Sequence, residues 1–136
     1  MSAENNSTSV DEKKKIPKIL VIEDSEADAL LIGRRLKDIL HGCEILQART
    51  LAAAYEKYLL NKLDLILLDL NLPDGFGARS VEEALSFVRN IPLVVVTGMG
   101  SNFTIKEAIN VGAHDVIVKS KIMEPEFEQI IKRYIR

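Results

Sequence analysis

The chain has 136 residues, a formal net charge of −2 and 47% hydrophobic residues. That length suits one compact domain, and the near-neutral charge gives no electrostatic reason to expect a nucleic-acid or membrane-surface partner. A single cysteine excludes an internal disulfide, and no apolar run approaches the roughly 20 residues of a membrane-spanning helix. We therefore expect a soluble, cytoplasmic domain.

The chain begins with a polar leader. Residues 1–15 lack hydrophobic periodicity and end in three lysines, so they offer little surface to bury. We predict that residues 1–15 are disordered and that residues 16–136 form the folded domain.

Short aliphatic runs alternate with amphipathic segments in the rest of the chain. Four runs have strand length and no polar alternation, at residues 19–22, 65–68, 93–96 and 116–118. Such runs are typical of parallel strands that are covered on both faces. A weaker, alternating run at residues 43–46 has the pattern of an edge strand.

Apolar residues recur at helical spacing between these runs. The five sets lie within residues 29–40, 51–59, 81–88, 105–109 and 127–135. Ser25 and Thr50 are predicted N-caps, and Gly112 is a predicted C-terminal stop. Five β–α units joined by right-handed crossovers predict an α/β fold, with a doubly wound, five-stranded parallel sheet between helices on both faces.

Residues suited to phosphate or metal follow several of the predicted strands. Glu23 and Asp24 follow the first strand, Asp69 the third, Thr97 the fourth and Lys119 the fifth. In such folds ligands bind outside the carboxyl ends of the strands, so we expect these side chains in one crevice. A hard cation such as Mg²⁺ would relieve the repulsion among the carboxylates. Asp69 could then act as a nucleophile on phosphorus, and Lys119 and Thr97 could stabilise the phosphoryl oxygens.

Four segments resemble the signature segments of response-regulator receiver domains. They are IPKILVIEDSEADALL, DLILLDLNLPDG, IPLVVVTG and GAHDVIVKS. The resemblance covers about residues 18–135 and implies a flavodoxin-like fold with five helices and strand order 2-1-3-4-5. It also implies that Asp69 is the phosphoacceptor and that Thr97 and Lys119 contact the phosphoryl group.

The same resemblance implies a metal site and a set of partners. Asp24 and Asp69 would bind Mg²⁺ directly, Asn71 through its backbone carbonyl, and Glu23 mainly through a metal-bound water. A sensor histidine kinase or phosphotransfer protein would supply the phosphoryl group, and phosphorylation would switch the binding of a downstream protein target. We expect a signalling module and not a turnover enzyme, a monomer or weak dimer, and no nucleic-acid or membrane partner.

Three positions depart from the commonest pattern of the family. Glu23 replaces an aspartate, and Ser120 replaces the proline after the lysine, which leaves open whether the Lys119–Ser120 peptide bond is cis or trans. Val116 stands where receivers often have an aromatic residue that rotates with the active-site threonine. The readout of phosphorylation is therefore expected to differ.

Two other functions compete with a phosphorylatable receiver. A binding module that signals without phosphorylation is favoured by Val116 and Ser120, but the complete acidic, threonine and lysine set argues against it. An aspartate-nucleophile phosphatase of the haloacid-dehalogenase type usually has a second aspartate two residues after the nucleophile, where this chain has Asn71. Asp74, between Pro73 and Gly75, is interpreted as a turn residue.

Overall fold

The central sheet has the predicted strand order. A computed structural model of the chain describes residues 15–98 and 100–135. The strands are β1 (Lys18–Ile22), β2 (Glu44–Ala48), β3 (Leu65–Leu68), β4 (Leu93–Thr97) and β5 (Asp115–Val118). They lie in the order β2-β1-β3-β4-β5, and every neighbouring pair is parallel. The predicted disordered leader lies outside the described residues, apart from Lys15.

The described part of the chain contains five α-helices that connect and follow the strands. They are α1 (Glu26–Leu40), α2 (Leu51–Leu60), α3 (Ala78–Phe87), α4 (Asn102–Asn110) and α5 (Pro125–Tyr134). The predicted caps are confirmed, since Ser25 and Thr50 accept hydrogen bonds from the N–H groups of Asp28 and Ala53. Gly112 follows the end of α4 with a φ of 123°, a conformation that favours glycine. Within the described residues, none of the helices is both long and apolar enough to cross a membrane.

Each face of the sheet has its own hydrophobic core. Successive strand residues point to opposite faces, so β1 and β3 contribute side chains to both cores. The core beneath α2 and α3 contains Leu20, Ile22, Ile66, Leu68, Ala54, Val81 and Ala84. The core beneath α1 and α5 contains Ile19, Val21, Leu65, Leu67, Leu36, Phe127 and Ile131. Two-sided burial therefore explains why these strands are continuous aliphatic runs.

The apolar face predicted for α2 is only partly buried; its five residues are Leu51, Ala54, Tyr55, Tyr58 and Leu59. Leu51 and Ala54 are buried, but Tyr55 is 45% and Leu59 is 60% exposed. The helix lies over the edge strand β2, and Tyr55 packs edge-on against Phe87 of α3 with ring centroids 5.1 Å apart. The outer half of the face thus meets a neighbouring helix and solvent, not the sheet.

Asp74 connects the loop after β3 to the start of α2. Its Oδ1 accepts a hydrogen bond from the Leu51 N–H at 2.9 Å, and its Oδ2 accepts one from the Ala52 N–H at 3.1 Å. Together with the Thr50 hydroxyl, this carboxylate satisfies three N–H groups that have no partner inside the helix. A negative charge also suits the N-terminal end of a helix. Asp74 is therefore a cap of α2 as well as a turn residue.

Asp74→Ala is expected to lower the free energy of unfolding by about 1–2 kcal/mol, because it removes both capping bonds. Asp74→Asn keeps one acceptor oxygen and should lose less. Urea denaturation of the three proteins measures both differences. Unchanged stability of Asp74→Ala would show that the cap does not stabilise the domain.

Candidate functional site

Glu23 and Asp69 directly follow β1 and β3, and the strand ladders fix their backbones. The Glu23 N–H donates to the Ala48 carbonyl at 2.9 Å, and the Asp69 N–H donates to the Ile22 carbonyl at 3.0 Å. Both residues therefore lie at the carboxyl edge of the sheet, one residue beyond the strands. Glu23 is only 1% exposed and Asp69 only 5%.

Asp24 brings a third carboxylate to the same place. One oxygen from each of Glu23, Asp24 and Asp69 lies within 4.8 Å of the others, and Asp24 is the most exposed of the three residues. Carboxylates this close repel one another, and ligands that are all oxygen suit a hard divalent cation such as Mg²⁺. These three residues, called the acidic group below, could hold such an ion.

Asn71 begins a small hairpin two residues after Asp69. The hairpin pairs residues Asn71–Leu72 with Gly75–Phe76, and the Gly77 N–H closes it by donating to the Leu70 carbonyl at 2.7 Å. The chain therefore leaves the acidic group through a short, hydrogen-bonded loop. The use of the Asn71 carbonyl as a metal ligand remains a prediction.

Lys119 reaches the acidic group from the end of β5. It opens a one-turn 3₁₀ helix (Lys119–Lys121), and its peptide bond to Ser120 is trans. The ammonium Nζ lies 2.8 Å from Glu23 Oε1, in an ion pair poorly aligned for a hydrogen bond, and 3.3 Å from Asp69 Oδ2. One cation thus partly neutralises two nearly buried carboxylates.

At both Glu23 and Lys119, burial and oppositely charged neighbours shift the pKa in opposite directions. Burial raises the pKa of the Glu23 carboxyl, and its contacts with the Lys119 ammonium and the Ser25 N–H offset this only in part. For Lys119, burial by itself lowers the pKa, but the surrounding carboxylates outweigh burial and hold the pKa well above its ordinary value. Lys119 is therefore protonated at neutral pH and supplies a positive charge at this edge of the sheet.

Thr97 and Val116 lie on the two neighbouring strands β4 and β5. Thr97 is the last residue of β4, is completely buried and pairs in register with Val118, the residue before Lys119. Val116 is half-buried and packs against the core beneath α2 and α3. The ladder thus places Thr97 beside the strand end that carries Lys119.

Sequence reasoning missed Asp28, which makes the shortest contact to Lys119. Its Oδ2 accepts a hydrogen bond from the Lys119 Nζ at 2.7 Å. An aspartate in the first turn of a helix is usually explained by the helix dipole, so no separate signal for this contact is visible in the sequence. Only the packing of α1 beside the end of β5 brings the two side chains together.

Comparison with known families agrees with this geometry. The family model described as the response regulator receiver domain matches residues 19–132. The chain belongs to the response regulator receiver domain family. Such receivers are modules of two-component signalling, and this one has the family's five-stranded parallel fold.

Individual relatives resemble this receiver over most of its length. The chemotaxis protein CheY of Thermotoga maritima is 31% identical over 105 residues, which are 75% of this chain and 84% of that protein. The structure of the phosphorylated cyanobacterial phytochrome response regulator RcpA is 27% identical, with a TM-score of 0.73 over 89% of this chain and 95% of that one. The Mn²⁺-bound form of the response regulator Rcp1 is also 27% identical, with a TM-score of 0.68 over 87% and 93% of the two chains.

Proposed function

We propose that this receiver accepts a phosphoryl group on Asp69 from a sensor histidine kinase or phosphotransfer protein. The observation that carries the proposal is the close approach of the Glu23, Asp24 and Asp69 carboxylates beside the Lys119 ammonium. A carboxylate nucleophile needs nearby positive charge for the phosphoryl oxygens, and this edge of the sheet offers both. The related response regulator RcpA has been solved in a phosphorylated form, which supports phosphorylation of this receiver.

In the proposed reaction an Asp69 carboxylate oxygen attacks the phosphorus of a phosphohistidine. The new O–P bond forms as the P–N bond breaks, and the histidine nitrogen leaves with the bonding electron pair and takes a proton from solvent. Lys119 neutralises negative charge on the phosphoryl oxygens, and the Thr97 hydroxyl donates a hydrogen bond to one of them. The chain's own contribution is therefore a positioned nucleophile and two positioned donors.

The acidic group is the proposed Mg²⁺ site. Asp24 and Asp69 would be direct ligands together with the Asn71 backbone carbonyl, and Glu23 would act through a metal-bound water. When bound, the ion would neutralise part of the charge on the phosphoryl oxygens. The Mn²⁺-bound relative Rcp1 supports a divalent cation in this family.

Phosphorylation then acts as a switch. The added negative charge favours the conformation in which Thr97 and Lys119 pair with it, and the shift of an existing equilibrium changes the binding of a downstream protein target. Val116 has no aromatic ring to rotate, so the conformational change at Thr97 is transmitted to the surface without an aromatic switch at this position. Because the phosphoryl group is accepted on its own Asp69, the domain formed by residues 16–136 would act as a signalling module and would not turn over an external substrate.

Acetyl phosphate, a small-molecule phosphodonor, tests the proposal. Wild-type protein incubated with acetyl phosphate and Mg²⁺ should gain the mass of one phosphoryl group in intact-protein mass spectrometry, and peptide mapping should place it on Asp69. Chelation of the Mg²⁺ with EDTA should prevent the gain. A wild-type protein that gains nothing, or gains equally in EDTA, would contradict the proposal.

A further inference from the structure

Lys119 is surrounded by carboxylates before any phosphoryl group arrives. Its Nζ lies 2.7 Å from Asp28, 2.8 Å from Glu23 and 3.3 Å from Asp69. A lysine ammonium has three N–H donors and faces three acidic side chains here. The contacts to Asp28 and Asp69 are hydrogen bonds and the contact to Glu23 is an ion pair, so a phosphoryl oxygen that approaches Lys119 has to compete with these carboxylates for the ammonium.

The three carboxylates differ in how easily they can be released. The side chain of Glu23 is 1% exposed and that of Asp69 is 5% exposed, so each would be left charged and poorly solvated without the lysine. The Asp28 side chain is 39% exposed and can be hydrated when the lysine leaves. Asp28 is therefore the partner that Lys119 gives up at the smallest loss of free energy.

The backbone holds Asp28 where it competes for the lysine. The Asp28 N–H donates to the Ser25 hydroxyl at 3.2 Å, which is the N-cap bond of α1. The cap fixes the first turn of the helix, and with it the position of the Asp28 carboxylate beside the end of β5. Asp28 is thus positioned by the fold and not by a flexible loop.

We infer that Asp28 is a positioning residue that holds Lys119 in the resting receiver and releases it when the phosphoryl group binds. The inference rests on the proposed function of Asp69. Asp28 does not contact the reacting atoms; it sets how readily Lys119 moves to them. The Asp28–Lys119 bond thereby opposes phosphorylation and holds the unphosphorylated receiver in its resting arrangement.

Phosphorylation by acetyl phosphate at saturating Mg²⁺ tests the inference. Asp28→Asn keeps the shape of the side chain but weakens its hold on Lys119, so the initial rate should rise about three- to five-fold, the upper part of the range for a partly exposed ion pair. Glu26→Gln removes a charge from the same turn of α1, and Asp38→Asn removes one from the same helix about 15 Å away. Both controls should stay within about two-fold of wild type.

Measurement at high ionic strength distinguishes release of Lys119 from a long-range electrostatic effect of the Asp28 charge on the phosphodonor. Repulsion between Asp28 and the phosphodonor would fade at high ionic strength, whereas a hydrogen-bonded contact is screened much less. The gain in Asp28→Asn should therefore persist in 0.5 M potassium chloride. A gain that disappears in salt, or an equal gain in Glu26→Gln, would overturn the inference, and so would a rate equal to or below that of wild type.

A metal-free stability measurement tests the resting contact without any phosphorylation. In EDTA, Asp28→Asn should lower the urea midpoint of the wild-type background but raise it in the Lys119→Met background, where Asp28 only repels the other acids. The same direction of change in both backgrounds would contradict the contact.

If wild type acquires no phosphoryl group, the proposed function and this inference fail together. If Asp69 is phosphorylated and Asp28→Asn does not accelerate the reaction, only the inference fails.

Discussion

Asp69→Asn is expected to abolish phosphorylation by acetyl phosphate. The amide has nearly the same size and shape as the carboxylate, so the packing at this 5% exposed position is retained. It has no charged oxygen to attack phosphorus, and it removes a proposed direct ligand of Mg²⁺. Intact-protein mass spectrometry should show no added phosphoryl group under conditions in which wild type is modified.

Asp64→Asn is the matched control for this substitution. Asp64 precedes β3 at the opposite end of the same strand, where its Oδ2 accepts a hydrogen bond from the Lys18 N–H at 2.8 Å. Asparagine can still accept that bond, so the control should be phosphorylated at the wild-type rate. Equal labelling of Asp69→Asn and wild type would show that the phosphoryl group goes elsewhere.

Lys119→Met is expected to destabilise the metal-free domain by about 3 kcal/mol, at the lower end for loss of one partner of a buried ion pair. The lower end applies because the Lys119 side chain is 20% exposed and Asp28 is more exposed still. Without the ammonium, the buried Glu23 carboxylate loses its neutralising partner. Urea denaturation in EDTA measures the loss.

Mg²⁺ should then stabilise Lys119→Met more than it stabilises wild type. The variant has one more uncompensated negative charge at the acidic group, so the cation binds more tightly and shifts the unfolding midpoint further. Lys121→Met is the control, because the Lys121 ion pair with Glu126, 3.7 Å apart, is exposed on both sides. That control should change stability by less than about 0.5 kcal/mol and leave the Mg²⁺ effect unchanged. Equal Mg²⁺ effects in wild type and Lys119→Met would contradict the prediction.

The strands could be predicted because burial on both faces allows few residue types. The run at Leu65–Leu68 coincides with β3 at both ends, since each of its side chains enters one of the two cores. The predicted edge strand β2 begins one residue and ends two residues too early, because its exposed side tolerates polar residues and blurs the pattern. Helix faces are predicted less well where a helix, such as α2, also meets another helix.

The candidate site was predictable to the extent that strand ends determine it. Parallel strands bring their carboxyl ends to one edge, so the sequence pattern alone assigns Glu23, Asp69 and Lys119 to the same crevice. Asp28 could not be assigned in this way, because its contact depends on where α1 packs relative to β5. The Lys119–Ser120 bond, left open in the sequence analysis, is trans, the isomer that a bond before a non-proline residue favours by about 3–4 kcal/mol.

The double attachment of the hairpin after β3 has a thermodynamic consequence for ligands. The Gly77 N–H holds one side of the loop to Leu70, and Asp74 holds its tip to the first turn of α2. Most of the conformational entropy of this segment is therefore lost when the domain folds, and little is left to lose when a ligand arrives. An ion or anion at this edge encounters a loop that is already ordered, so less binding free energy is lost to ordering the loop and association is tighter.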